Sequence, residues 1–204
     1  MGEYLFELIG GRLCLDFLNT VAGMRPDRPS EHLLEYRDLL RWARTAGLID
    51  ERQMTALLAE ARRHPRRAAA ALQTARELRE ALHDVVVAGI HGEEPPPRSL
   101  LLVNDWIASA MARRRLVAAR GKYQLRWEER PGDLIGFLTQ VALNAAEVLS
   151  RELPMVHVCG EAEIGRCGWI FLDETKNHSR RYCVMRDCGN RAKQRRYRAV
   201  RRAT

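Results

Sequence analysis

The sequence has no apolar run approaching the ~18 residues that a bilayer-spanning helix requires, and Met1–Gly10 interrupts its apolar residues with Glu3 and Glu7. Neither a membrane anchor nor a secretory signal is expected, so the chain reads as cytoplasmic, where thiols stay reduced. Signatures of catalysis are missing as well: there is no phosphate loop, nucleophile elbow or dinucleotide fingerprint. His32, His64, His83 and His91 are scattered without metal-ligand spacing, and no internal repeat is visible. A non-enzymatic protein is expected. Cysteine is scarce, with five residues in 204, and a hydrophobic content of 46% is enough for one or two domains with a real core.

What cysteine there is clusters. Cys159, Cys167, Cys183 and Cys188 fall within 30 residues as Cys-x7-Cys and Cys-x4-Cys, separated by 15 residues. Two close pairs of thiolates match a closed tetrahedral zinc site, and a shell filled by four sulfurs implies one structural Zn2+ with no position open for chemistry. Two disulfides or four unrelated buried thiols are the competing readings, and His157 or His178 could replace a cysteine. Trp169–Leu172 is short and β-favouring, Asp173–Ser179 is turn-like, and Arg180–Tyr182 can return as a second strand. Gly189–Arg202 lacks strong helix breakers after its first residue and reads as a helix. Knuckle, hairpin and second knuckle at a helix start form a treble-clef or zinc-ribbon arrangement. A module this small folds only if metal binding contributes on the order of 10 kcal/mol.

Charge is equally uneven. Eleven of the 34 Lys and Arg residues, but only one of the 26 acids, Asp187, lie at or beyond Lys176. The rest of the chain is slightly acidic. On the expected last helix Arg191, Arg195, Arg198 and Arg202 recur along one stripe, with Ala192, Ala199 and Ala203 opposite to pack on the hairpin. Guanidinium groups match phosphate geometry, and a one-sided basic stripe is the footprint of a nucleic-acid binder. Candidate contacts are Arg180, Arg181, Arg191, Lys193, Arg195, Arg196 and Arg198. DNA and RNA are both served by such a stripe, an acidic protein partner is the alternative, and no membrane contact is expected because the helix has no large apolar face.

Upstream, Phe6–Ile9 reads as an apolar strand, Gly10-Gly11 as a turn, and the following segment as helical by Asp16. Asp16, Asn19 and Thr20 sit among Leu13, Leu15, Phe17 and Leu18 and must be hydrogen-bonded if buried. They either cap a helix and tie down the turn, or line a pocket for a small effector. Cys14 reads as a packed thiol. A loop is expected over 26–29, then helices capped by Ser30 and by Asp50. Further helices run from Pro65 to about Gly89 and over Ser99–Arg115, the latter with Leu102, Trp106 and Met111 as core candidates. A hairpin over Leu116–Trp127 turns at Gly121, and a last helix follows Asp133. The fold class is mainly α: a multihelical N-terminal domain with small β-hairpins over 1–153, then the zinc module over 154–204.

Cys167-Gly-Trp-Ile-Phe-Leu-Asp, Asn177-His-Ser-Arg-Arg-Tyr-Cys-Val-Met and Cys188-Gly-Asn-Arg-Ala-Lys together resemble the bacterial CGNR zinc-finger family. Gly10–Thr20 resembles the start of the ABATE domain that precedes that finger. The first cysteine pair is more widely spaced than the family pattern, with Glu161–Gly165 as the insert. The resemblance implies a transcription regulator with the finger as its DNA-binding part. In that reading an effector or partner of the N-terminal domain would shift the finger's orientation or a homodimer equilibrium.

Overall fold

The computed structural model describes residues 4–25, 28–128, 130 and 132–203. Pro26 and Asp27, half of the expected loop over 26–29, lie outside them. Helix α1 (Leu13–Leu18) buries Cys14, Leu15, Asp16, Phe17 and Leu18. Strands β1 (Val21–Met24) and β2 (Arg28–Glu31) pair antiparallel, Val21 facing Glu31. This pairing takes Ser30 into β2, so Ser30 does not cap a helix. Helix α2 (Tyr36–Thr45) starts behind Glu35 instead, where Glu35 and Asp38 cap each other reciprocally, and Leu33 is buried ahead of it.

Helix α3 (Glu51–Arg63) is capped by Asp50, whose carboxylate accepts from Gln53 N at 2.7 Å. A side chain accepting at this point satisfies one of the orphan amides of the first turn. Helix α4 (Pro65–His91) begins on a proline, which needs no amide partner there, and ends at left-handed Gly92. Its face of Leu72, Ala75, Leu78, Leu82, Val85 and Val86 is the spine of the core, against which Phe17 and Trp42 pack with ring centroids 4.8 Å apart. Helix α5 (Pro97–Ala112) packs on α4, with Leu102 and Trp106 turned to the core and Met111 exposed.

Strands β3 (Arg114–Ala119) and β4 (Lys122–Trp127) form the expected hairpin, with positive φ at both Arg120 and Gly121. Two successive left-handed residues match the right-handed twist of the strands. Asp133 does not cap the next helix. Its Oδ1 instead accepts from Ile135 N at 3.1 Å and its carboxylate pairs with Arg113, ahead of a 3-10 turn at Gly136–Leu138. Helix α6 (Thr139–Glu147) follows that turn and packs on α1 and α5.

A π turn (Val148–Glu152) and a 3-10 turn (Leu153–Met155) lead directly into β5 (Val156–Val158), which pairs antiparallel with β6 (Ile170–Leu172). Helix α7 (Asn190–Ala203) closes the chain. Val156, Ile170 and Leu172 belong to the same hydrophobic core as α1, α4 and α6, so the C-terminal module is built onto the helical domain. Asn19 fastens the joint: its amide donates to Ile170 O at 2.8 Å and accepts from Ile170 N at 2.9 Å. Leu172 N donates to Gly10 O at 2.8 Å and Trp169 Nε1 to Val21 O at 3.0 Å. Neither Phe6–Ile9 nor Arg180–Tyr182 forms a strand; β5 takes the place expected of the latter as partner to β6. No helix among the described residues is long and apolar enough to cross a membrane.

Candidate metal centre and cationic helix

Cys159 follows β5, Cys167 precedes β6, Cys183 follows the Asp173 turn, and Cys188 sits in a π turn (Met185–Gly189) that runs into α7. The elements converge so that all four Sγ atoms lie within 4.8 Å of one another, and all four are buried. Cys183 Sγ is 3.7 Å from Cys167 Sγ and 3.6 Å from Cys188 Sγ. Bonded sulfurs would be about 2.05 Å apart, so the disulfide reading falls. Tetrahedral Zn–S bonds of about 2.3 Å put neighbouring sulfurs roughly 3.8 Å apart, which these distances match.

The four sulfurs do not all ionise unaided. Thiol donors from Cys167 and Cys183 push the Cys159 thiol down, while burial pushes Cys188 up to about 12. Crowded as they are, four thiolates are compatible only with a cation among them. The residues therefore form one structural zinc site. His157 packs against Phe171, with ring centroids 6.1 Å apart, and His178 Nδ1 lies 3.3 Å from Asp173 O, so neither joins the four sulfurs.

The expected nucleic-acid residues divide into two groups. Arg180 turns inward: its guanidinium lies 4.3 Å over the Phe171 ring and donates to the carbonyls of Leu172, Ile9, Tyr182 and Cys183. Arg195 makes a two-pronged pair with Glu161, at 2.8 and 3.1 Å, and Glu161 is fully buried. Arg191 pairs with Asp187 one turn back. These three hold the finger together, so the stripe through Arg191 and Arg195 is not a free cationic face. Arg181, Lys193, Arg196 and Arg198 are exposed and have no acidic partner among the described residues. Of the alanines expected opposite, Ala192 is buried and Ala199 exposed; the side chains of Arg202 and Ala203 lie outside the described ones.

Spacing alone could not reveal Glu161 or Arg180 in these roles. Glu161 falls in what reads as an insert, yet its carbonyl accepts from Arg166 N at 3.0 Å within the loop between Cys159 and Cys167 while its side chain anchors α7. Asp173 is buried and accepts from Thr175 N, Thr175 Oγ1 and Arg180 N, which closes the turn between the cysteine pairs.

Asp16, Asn19 and Thr20 are occupied by internal hydrogen bonds. Asp16 Oδ1 accepts from Gly10 N at 2.7 Å, Asn19 holds Ile170, and Thr20 Oγ1 donates to Phe17 O and accepts from Arg79. They tie the Gly-rich turn and the finger to α1. They do not line the clefts that open around Arg113 and Asp133.

A predominantly helical chain with a four-sulfur zinc module built onto its core is thus the class of protein that fold and site define. It belongs to the ABATE family, described as "putative stress-induced transcription regulator", whose model matches residues 11–152. The CGNR zinc finger model matches residues 155–201. Both are regulator-like or zinc-finger families and neither is an enzyme family. No curated protein matches the sequence.

Proposed function

We propose that the protein is a DNA-binding transcription regulator whose zinc finger presents Arg181, Lys193, Arg196 and Arg198 to phosphate oxygens. The observation that carries this reading is the division of labour among the cations. The arginines nearest the metal are spent on the finger's own carboxylate and carbonyl groups, and a second set, Arg181 and three cations on α7, is left exposed. A helix fixed at its base by metal loses little freedom when its cations meet a polyanion. In this reading Arg180, Arg191 and Arg195 orient the helix rather than touch nucleic acid.

The helical domain would sense an effector or partner, and the joint through Asn19 and Ile170 would pass its state to the finger. A homodimer fits the same reading. Leu116, Tyr123 and Leu125 of the β3–β4 hairpin are exposed, and a two-stranded hairpin is marginal without further packing. Sedimentation of the zinc-loaded chain measures that equilibrium.

The DNA proposal is tested by fluorescence anisotropy with a random-sequence duplex, a matched RNA and an acidic peptide as competitors. The proposal expects duplex binding that is lost when Lys193, Arg196 and Arg198 are changed to Gln, with zinc content unchanged. Displacement of the duplex by the peptide alone would favour a protein-interaction module, and displacement by RNA alone an RNA-binding one.

A further inference from the structure

Between α3, the end of β4 and the start of α6 lies a cleft of about 840 Å3, inside the span of roughly 300–1,000 Å3 typical of small-molecule sites. Its apolar wall is Leu48, Ile49, Leu57, Trp127 and Phe137. A smaller lobe of about 300 Å3 adjoins it, and the two share Arg113, Asp133, Gly136 and Thr139. The wall between the lobes is therefore a charged pair set in apolar surroundings.

Arg113 is the residue on which α5 turns into the hairpin, and its side chain is largely buried against Asp133. Its Nε is buried with no hydrogen-bond partner. Leaving a charged group's donor unsatisfied costs more than leaving a neutral one, and such an atom in a native site calls for an acceptor from elsewhere. Gly136 makes room for the guanidinium: a Cβ there would stand 2.2 Å from Arg113 Nη1.

The charges in the cleft favour an anion. Glu60 already has Arg63, His64 and Arg67, Glu128 has Arg115 and Arg130, and Asp133 has Arg113. Arg126, by contrast, reaches only the neutral Gln124 among the described residues. Every described acid lining the larger lobe is matched, while one lining arginine and the Arg113 Nε are not; Asp105, on the smaller lobe, has no cationic partner among the described residues.

We infer that this cleft binds an amphipathic organic acid, its aromatic or aliphatic body against Leu57, Trp127 and Phe137 and its carboxylate toward Arg113 and Arg126. The inference deepens the effector reading and rests on it for its regulatory meaning. Thr139 and Gln140, which line the cleft, begin α6, whose Asn144 accepts from Cys14 N of α1 at 2.9 Å, and α1 in turn is followed by Asn19 at the finger joint. Occupancy therefore bears on the helix that braces the finger.

The test is calorimetric titration of the zinc-loaded full chain with 2-naphthoate, decanoate and neutral 2-naphthamide. At least one acid is expected to bind with a Kd below about 1 mM, and the amide about tenfold more weakly or not at all. Which acid binds distinguishes an aromatic from an aliphatic ligand. Ala56→Trp, placed on the exposed surface of α3 at the cleft and away from the ion pair, should abolish binding, and Arg113→Gln should weaken the acids alone. The Ala56→Trp variant and the acid-to-amide comparison keep the test decisive should Arg113→Gln fail to fold. No binding of either acid at about 5 mM, equal affinity for acid and amide, or binding that survives Ala56→Trp would overturn the inference. DNA affinity is no part of this readout, so a failure of the DNA proposal is told apart from a failure of the ligand site.

Discussion

A carboxylate inside an apolar helix is a liability that depends on pH. Burial of Asp16 raises its pKa from 3.8 to about 6, against the lowering effect of the Gly10 and Ile9 amides. The folded state therefore holds the proton more tightly than the unfolded chain, and stability falls as pH rises from the unfolded value through the folded one. Asp16→Asn keeps an oxygen for the Gly10 amide and removes the titration. Urea unfolding should show the stability of the variant relative to wild type growing by about 1 kcal/mol between about pH 5 and pH 7.5, because each pKa unit is worth about 1.4 kcal/mol. A difference independent of pH would mean that Asp16 is ionised at no cost. Arg79 is the opposite case, a cation 3% exposed on the apolar face of α4, held by Glu31 at 2.6 and 2.8 Å and by Thr20 Oγ1. Burial alone would raise the pKa of Glu31, and its bonds to Arg79 bring it below the ordinary value instead. Arg79→Met takes away the two-pronged partner of that carboxylate, leaving it the longer Arg76 pair at 3.7 Å and the Leu33 amide, and should cost about 3 kcal/mol in chemical denaturation, the lower end for breaking a buried pair; a loss below about 0.5 kcal/mol, the range of ordinary surface changes, would contradict the role.

At the scale of elements, α7 owes its position to the first knuckle as much as to the metal. Glu161→Gln removes the charge that Arg195 grips and should loosen the loop between Cys159 and Cys167. Zinc affinity, measured by competition with a chelator, should fall about tenfold, the order found for groups one shell out from a metal. Unchanged affinity would reduce the pair to a surface contact. Elements with strong local signals were legible in the sequence: the Asp50 cap, the α4 spine, the Gly121 hairpin and the four ligands all follow from spacing or turn chemistry. What was not legible depended on distant partners. Val156–Val158 is too short to show alternation, so nothing local shows that Ile170–Leu172 pairs with it rather than with Arg180–Tyr182. Ser30 looks like a helix cap until pairing with β1 claims it. Arg180 and Arg195 look like their exposed neighbours on a charge plot. Only the fold brings Phe171 beneath the one and Glu161 beside the other.

Taken whole, the molecule is a finger and a helical domain that share a core, so metal loss should be felt beyond the finger. The zinc-loaded chain should carry one metal ion, and chelation should lower the melting temperature of the helical signal as well as release the finger, since Val156, Ile170 and Leu172 pack with α1, α4 and α6. A thermal transition in the helical region indifferent to chelation would show that the two parts are uncoupled. If the Arg113 cleft takes the ligand proposed for it, coupling of this kind would be its route to the cationic helix, through the finger's hold on the core.

The central claim is that zinc fixes a helix whose free cations neutralise phosphates. The most direct test is the dependence of duplex affinity on salt for the zinc-loaded chain and for its Lys193→Gln/Arg196→Gln variant. The account predicts a linear fall of log K with log salt concentration, and a slope shallower by about 2 in the variant, near 0.9 for each phosphate no longer neutralised. Affinity insensitive to salt, or the same slope in both proteins, would contradict it.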